Sequence, residues 1–182
     1  MCRLILAKGK FSSARILDAA IAMSCGRTAD HEGPIQRHPN GGGATWRHGG
    51  RLAIHRDVRS IEDSAGASPV SDLTTDFLAV HVRHATLARN HGAEFTHPLE
   101  YAHVERSWYL LHNGFLPTIY QRLGKDRSEF DSAEYLEYLM RGASACGKHL
   151  LRQLVDDQAS VVVIKDLLGF YDDDLDNAIL WS

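Results

Sequence analysis

The chain has 182 residues, 44% of them apolar, which is enough for one domain with a sizeable core. Charged residues make up 24% and the net charge is −3, with no basic run or acidic tail to suit nucleic acid or a membrane surface. Three cysteines (Cys2, Cys25, Cys146) without CxxC spacing suggest neither a disulfide framework nor a zinc site. The eleven histidines are scattered and read first as titrating surface residues. No apolar stretch approaches a membrane span, and the opening apolar run is too short for a signal peptide. The expectation is a single cytoplasmic domain over 1–182.

In chain order, residues 2–7 ("CRLILA") predict a short buried strand, followed by a polar turn around Lys8 and Lys10. "SSARILDAAIAMSCG" has helical spacing, with Ser12 or Ser13 as N-cap and Gly26 as the stop. "RTADHEGPIQRHPNGGG" is rich in turn formers and predicts a long surface loop. "ATWRHGGRLAIHRD" predicts two strands around Gly49-Gly50, and "VRSIEDSAGASPVSD" a polar connection. "DFLAVHVRHAT" is a strong strand pattern, and the stretch after it carries few periodic signals. "RSWYLLHNG" predicts a strand ending at a turn. Helices are expected at 114–123, 131–145 and 148–156, and closing strands in "ASVVVIKD" and "NAILWS". This order points to layered α+β rather than alternating βαβ units.

Three stretches carry potential chemistry: Cys2, "HVRHAT" at 81–86 and "LHNG" at 111–114. Each has a plain structural reading: a packed strand residue, a strand with an outward arginine, and a hairpin turn favouring Asn-Gly. A cysteine at the N-terminus places a thiol, pKa about 8.5, beside an α-amine of about 7.7–8.0 that can serve as its base. A strand ending in Asn-Gly can aim the Asn113 amide and the Gly114 backbone N–H at one oxyanion. Arg83 has the planar fork suited to a carboxylate. Asp131 and Glu134 form a D-x-x-E helix-capping pattern.

Together, and in this order, "MCRLI", "HPNGGGATW", "HVRHAT", "THPLE", "WYLLHNGFL" and "FDSAEYL" resemble the class II glutamine amidotransferases, which are N-terminal-nucleophile hydrolases. The small stand-alone members of predicted glutamine amidotransferase type are the nearest in pattern. The resemblance implies the four-layer αββα sandwich and hydrolysis of the γ-amide of glutamine, or of a γ-glutamyl amide. Hydrolysis would pass through a Cys2 thioester and release ammonia. It implies oxyanion donors at Asn113 and Gly114, an α-carboxylate clamp at Arg83 supported by Thr86, and an ammonium partner at Asp131. The loop after Thr86 would be a substrate lid, with Gly92 as a hinge. No metal or cofactor is implied, and any ammonia-accepting enzyme would be separate. Met1 would have to be removed for the Cys2 amine to act as a base.

Two positions depart from the family pattern: Phe95 stands where Asn is usual before "THP", and Gly42 where the "DGWG" stretch has Trp. The family's second substrate-side arginine has two candidates, Arg27 and Arg37, and neither is assigned. Other readings stay open: a catalytically silent binding or regulatory module of the same fold, and an N-terminal-Cys acylase acting on other amides. Arg83 and Asp131 argue against the acylase, which needs no amino-acid clamp. A histidine metal site is disfavoured because His81 and His84, three apart on a strand, would face opposite ways.

Overall fold

The computed structural model describes residues 2–28, 34–102, 107–145, 161–164 and 177–181. The helix expected at 148–156 and Cys146 lie outside them. The chain divides into two compact units, Met1–Pro98 and Leu99–Ser182.

In the first unit β1 (Arg3–Ser12), β2 (Gly42–His48), β3 (Arg51–Asp57) and β4 (Thr74–Val82) form an antiparallel sheet ordered β1-β4-β2-β3. The opening strand is longer than the sequence suggested. It continues through Lys8 and Lys10 to Ser12, with a register shift between Lys8 and Phe11 where Gly9 takes φ 109°. The polar stretch is an exposed edge strand carrying a bulge, a common way to keep a sheet edge from pairing.

Helix α1 (Ala14–Cys25) ends as expected at Gly26, whose φ of 78° is the left-handed stop. Ser13 precedes it without a side-chain cap bond. Its Oγ instead accepts the Leu73 N–H at 2.8 Å, tying the helix start to the approach of β4. The hairpin between β2 and β3 turns on Gly49 and Gly50, both at positive φ, as a two-residue type I′ turn requires. The polar connection after β3 contains a short helix, α2 (Ile61–Ser64), running into a 3-10 turn, Ala65–Ala67. Ser60 caps it by accepting the Asp63 N–H at 3.1 Å, so Ser60…Asp63 was the overlooked signal.

The core on the helix side of this sheet gathers Leu17, Ala20, Ala44, Trp46, Ile61, Leu78, Val80 and Val82. Each large aliphatic side chain fully buried there contributes roughly 1.5–3 kcal/mol. The loop before β2 is less superficial than its composition suggested. His38 is buried, its N–H donates to Ser24 O at 2.9 Å, and the Ser24 hydroxyl donates back to His38 O at 3.2 Å.

In the second unit β5 (Leu99–Ala102), β6 (Ser107–Asn113), β7 (Val161–Ile164) and β8 (Asn177–Trp181) form an antiparallel sheet ordered β5-β6-β8-β7. β5 was not anticipated; it is four residues long and is held by pairing with β6. The helix expected at 114–123 reduces to α3 (Ile119–Arg122). Pro117 disfavours helical geometry at Leu116, and Gly124 at φ 71° ends the turn. Helix α4 (Asp131–Ala145) matches its expected bounds. Tyr135, Leu136, Leu139 and Met140 recur at helical spacing and pack with Leu99, Leu110, Leu116 and Ile119. Antiparallel sheets accompanied by helices make the class α+β. Among the described residues no helix is long and apolar enough to cross a membrane.

Candidate active site

Two predicted residues come together in the first unit. Arg3 pairs with Val82 across β1 and β4, and Gly42 pairs with the same Val82 from β2. Cys2, Arg83 and Gly41 therefore leave one end of the sheet side by side. The half-buried Cys2 thiol donates to His84 O at 3.7 Å. Arg83 is only 6% exposed. Its Nη1 donates to Asn40 O at 3.0 Å and its Nη2 to Asn90 O at 2.7 Å. Burial pulls the guanidinium below its ordinary value, and the neighbouring Cys2 charge opposes that shift.

Thr86 lies just beyond, exposed. The loop expected as a lid is thus tied to the predicted clamp through Asn90 O. At its end Gly92 has φ 116°, and a Cβ there would sit 2.4 Å from the Glu94 carboxylate. Sequence reasoning did not single out Asn40, which lies in a segment rich in turn formers, or Asn90, which lies in a stretch with few periodic signals.

Asn113, Gly114 and Asp131 belong to the second unit. Asn113 closes β6, and its Oδ1 is buried with no hydrogen-bond partner among the described residues. Asp131 opens α4, where Oδ2 accepts the Leu116 N–H at 3.0 Å and Oδ1 the Ser132 N–H at 2.9 Å. The carboxylate therefore holds the turn that follows Asn113-Gly114 against the helix start. Burial pushes the Asp131 carboxyl up, and these two N–H bonds pull against it. The reciprocal D-x-x-E capping box does not form: Glu134 reaches back past Asp131, accepting the Glu129 N–H at 2.9 Å and the Ser128 hydroxyl at 2.7 Å, while its own N–H donates to Phe130 O at 3.0 Å.

The histidines depart most from the surface reading. His38, His81, His97 and His112 are all buried, and the His81 and His97 rings lie 4.3 Å apart. Among the described residues no group of three or more His, Cys, Asp or Glu side chains could hold a metal ion. His112, directly before Asn113, has Nδ1 2.9 Å from Ser132 Oγ. Burial lowers its pKa to about 4.

A free imidazole titrates near 6.5, so this group stabilises the fold fully above that pH. The contribution is lost as pH falls through about 4. The loss should reach roughly 3 kcal/mol, and Asp131, shifted upward, contributes with the opposite sign. Urea unfolding at pH 7.5 and pH 4 should show this fall, and His112→Asn should flatten it. An equally steep fall in the variant would remove His112 as the cause.

The two departures from the family pattern have local consequences. A Cβ on Gly42 would lie 2.5 Å from Ile61 Cγ1 and 2.9 Å from His81 O. Ile61 thus fills the space into which a side chain at position 42 would point. Phe95 is half-buried in a 3-10 turn, Ala93–Phe95. Of the two arginines left unassigned, Arg27 Nε donates to Cys25 Sγ at 3.0 Å, while exposed Arg37 pairs with Glu62 at 3.7 Å and has its carbonyl O 3.1 Å from Nδ1 of His84.

Two solved structures share the fold. Glutamine phosphoribosylpyrophosphate amidotransferase from B. subtilis, complexed with ADP and GMP, matches 99% of this chain and 41% of its own, with TM-score 0.56 and 16% identity. The allosteric regulatory enzyme of purine biosynthesis matches 100% and 42%, with TM-score 0.58 and 16% identity. The chain thus spans about two fifths of the length of either. A predicted glutamine amidotransferase from Pseudomonas aeruginosa PA01 matches 84% of this chain and 80% of its own, at 17% identity and TM-score 0.40. No curated protein matches the chain.

At such identities the first two likenesses show the fold, which is that of the N-terminal-nucleophile hydrolases. A family model described as "Glutamine amidotransferases class-II" matches residues 1–157, most of the chain and across both units. The chain belongs to the class II glutamine amidotransferases.

Proposed function

We propose that this protein hydrolyses the γ-amide of glutamine, or of a γ-glutamyl amide, through a thioester on Cys2. In the form beginning at Cys2, the free α-amine takes the thiol proton and the thiolate attacks the γ-carbonyl carbon. The tetrahedral oxyanion is held by the Asn113 side-chain amide and the Gly114 N–H. The protonated amine passes its proton to the departing nitrogen, releasing ammonia and leaving the γ-glutamyl thioester. Water, deprotonated by the same amine, then attacks the thioester, and glutamate and the free thiol are regenerated. Arg83, with Thr86 beside it, binds the substrate α-carboxylate, and Asp131 the α-ammonium.

The observation that carries this reading is the shared strand end: Cys2 and Arg83 emerge together, next to one another across β1 and β4, in a chain of this family. Because the family match spans both units, we read 1–182 as one amidotransferase-like domain acting in the cytoplasm. Ammonia would pass to a separate acceptor enzyme or to solvent. The test is glutamate and ammonia release from glutamine and from γ-glutamyl amides, with asparagine as control.

A silent binding module is the second reading. It draws on the two departures from the family pattern, Phe95 and Gly42. A pure, folded preparation that binds glutamine without turning it over would favour it.

Arg83→Ala separates binding from chemistry. A charge-assisted hydrogen bond is worth about 1.5–3 kcal/mol, so KM for glutamine should rise roughly tenfold to a hundredfold. The kcat should change far less, because the clamp acts in ground and transition states alike. A fall in kcat at unchanged KM would place Arg83 in the chemical step instead.

A further inference from the structure

We propose that Asn40 is the residue that positions the substrate clamp, acting through the backbone of residues 83–85; the inference rests on the amidotransferase reading above. The β2–β4 ladder ends at Gly42 and Val82, so the segment bearing Arg83 and Thr86 leaves regular pairing just where its geometry matters.

Four hydrogen bonds carry the order onward. Arg83 N–H donates to Gly41 O at 3.0 Å, and Asn40 N–H donates to Arg83 O at 3.2 Å. Arg83 Nη1 donates to Asn40 O at 3.0 Å. The fourth bond comes from a side chain: Ala85 N–H donates to Asn40 Oδ1 at 3.0 Å.

Three of these bonds use the main chain of residues 40 and 41, and any residue at position 40 could make its share of them. The fourth depends on the side chain. It fixes the peptide at Ala85, which lies between Arg83 and Thr86, the two groups assigned to the substrate carboxylate. Without it the half-buried Ala85 N–H loses its acceptor, and the direction of the chain past Arg83 is set by backbone pairing alone. His84 O, which takes the Cys2 thiol, belongs to the same peptide as the Ala85 N–H. The side chain of Asn40 touches neither nucleophile nor reacting atoms in any of these bonds. Its role is positioning, and its effect should appear in binding.

The experiment compares Asn40→Leu, which keeps the size and loses the acceptor, with Asn40→Asp, which keeps an oxygen for the Ala85 N–H. Loss of one such bond should raise KM for glutamine about tenfold in Asn40→Leu, with kcat within about threefold of wild type. Asn40→Asp should restore KM to within about threefold. An unchanged KM in Asn40→Leu, an equal rise in Asn40→Asp, or a loss confined to kcat would each overturn the proposal.

Amide hydrogen exchange at Ala85 separates this inference from the reading it rests on. Exchange should quicken about tenfold in Asn40→Leu and stay near wild type in Asn40→Asp. A wild-type protein that fails to hydrolyse glutamine would overturn the amidotransferase reading, and the exchange result would still decide whether Asn40 holds the segment. Unchanged exchange in Asn40→Leu overturns that role.

Discussion

Cys2→Ala is expected to abolish glutamine hydrolysis, lowering the rate by more than about a thousandfold, while the melting temperature stays near wild type. The loss follows from chemistry: without Sγ no thioester can form, and neither the α-amine nor any oxyanion donor can replace a nucleophile. The fold should tolerate the change. Cys2 precedes the first residue of β1, is half-buried, and makes a 3.7 Å thiol contact to a backbone carbonyl. Cys25→Ala is the matched control, since that thiol sits at the end of α1, donating to Ala22 O at 3.6 Å and accepting from Arg27. Near-normal turnover is expected there, and for Cys146→Ala. Initial rates of ammonia release beside thermal melts check all three. Wild-type rates in Cys2→Ala would end the thioester mechanism.

Asn113→Ala should lower kcat roughly 100- to 1,000-fold with little change in KM, the loss typical of one missing oxyanion donor. The oxyanion exists only along the reaction path, so the amide contributes nothing to ground-state binding. Structural damage should be small. Asn113 is the last residue of β6, and its pairing with Asn177 runs through the backbone. Its buried Oδ1 has no partner among the described residues, so truncation breaks no internal bond at that atom. Steady-state kinetics decide the point. A variant with altered KM and normal kcat would move Asn113 from the oxyanion to the substrate-holding groups.

The elements that sequence reading placed well are those whose signals are local. The Gly49-Gly50 turn, the Gly26 stop and the apolar repeat of α4 each announce themselves within a few residues. β5 could not be seen that way, because four residues become a strand only by pairing with β6. The bulge at Gly9 hid the far half of β1, since the polar residues of an edge strand read as a turn.

Of the candidate site, Cys2 and Arg83 were legible as motif residues, and β1–β4 pairing explains why residues 81 apart in sequence meet. Asn40 was not legible. Its part depends on Ala85, 45 positions away, and nothing in "HPNGGG" signals a side chain that holds another strand's exit. The buried histidines were missed for a related reason: composition counts them, while only tertiary packing buries them.

The central claim is a nucleophilic Cys2 that accepts a γ-glutamyl group. The most direct measurement is intact mass and peptide mapping after incubation with a diazo-ketone analogue of glutamine. The account predicts one covalent adduct, on Cys2, in chains that begin at that residue, with labelling blocked by excess glutamine. An active preparation that takes no adduct, or carries it on Cys25 or Cys146, or turns over glutamine with Met1 fully retained, would contradict it.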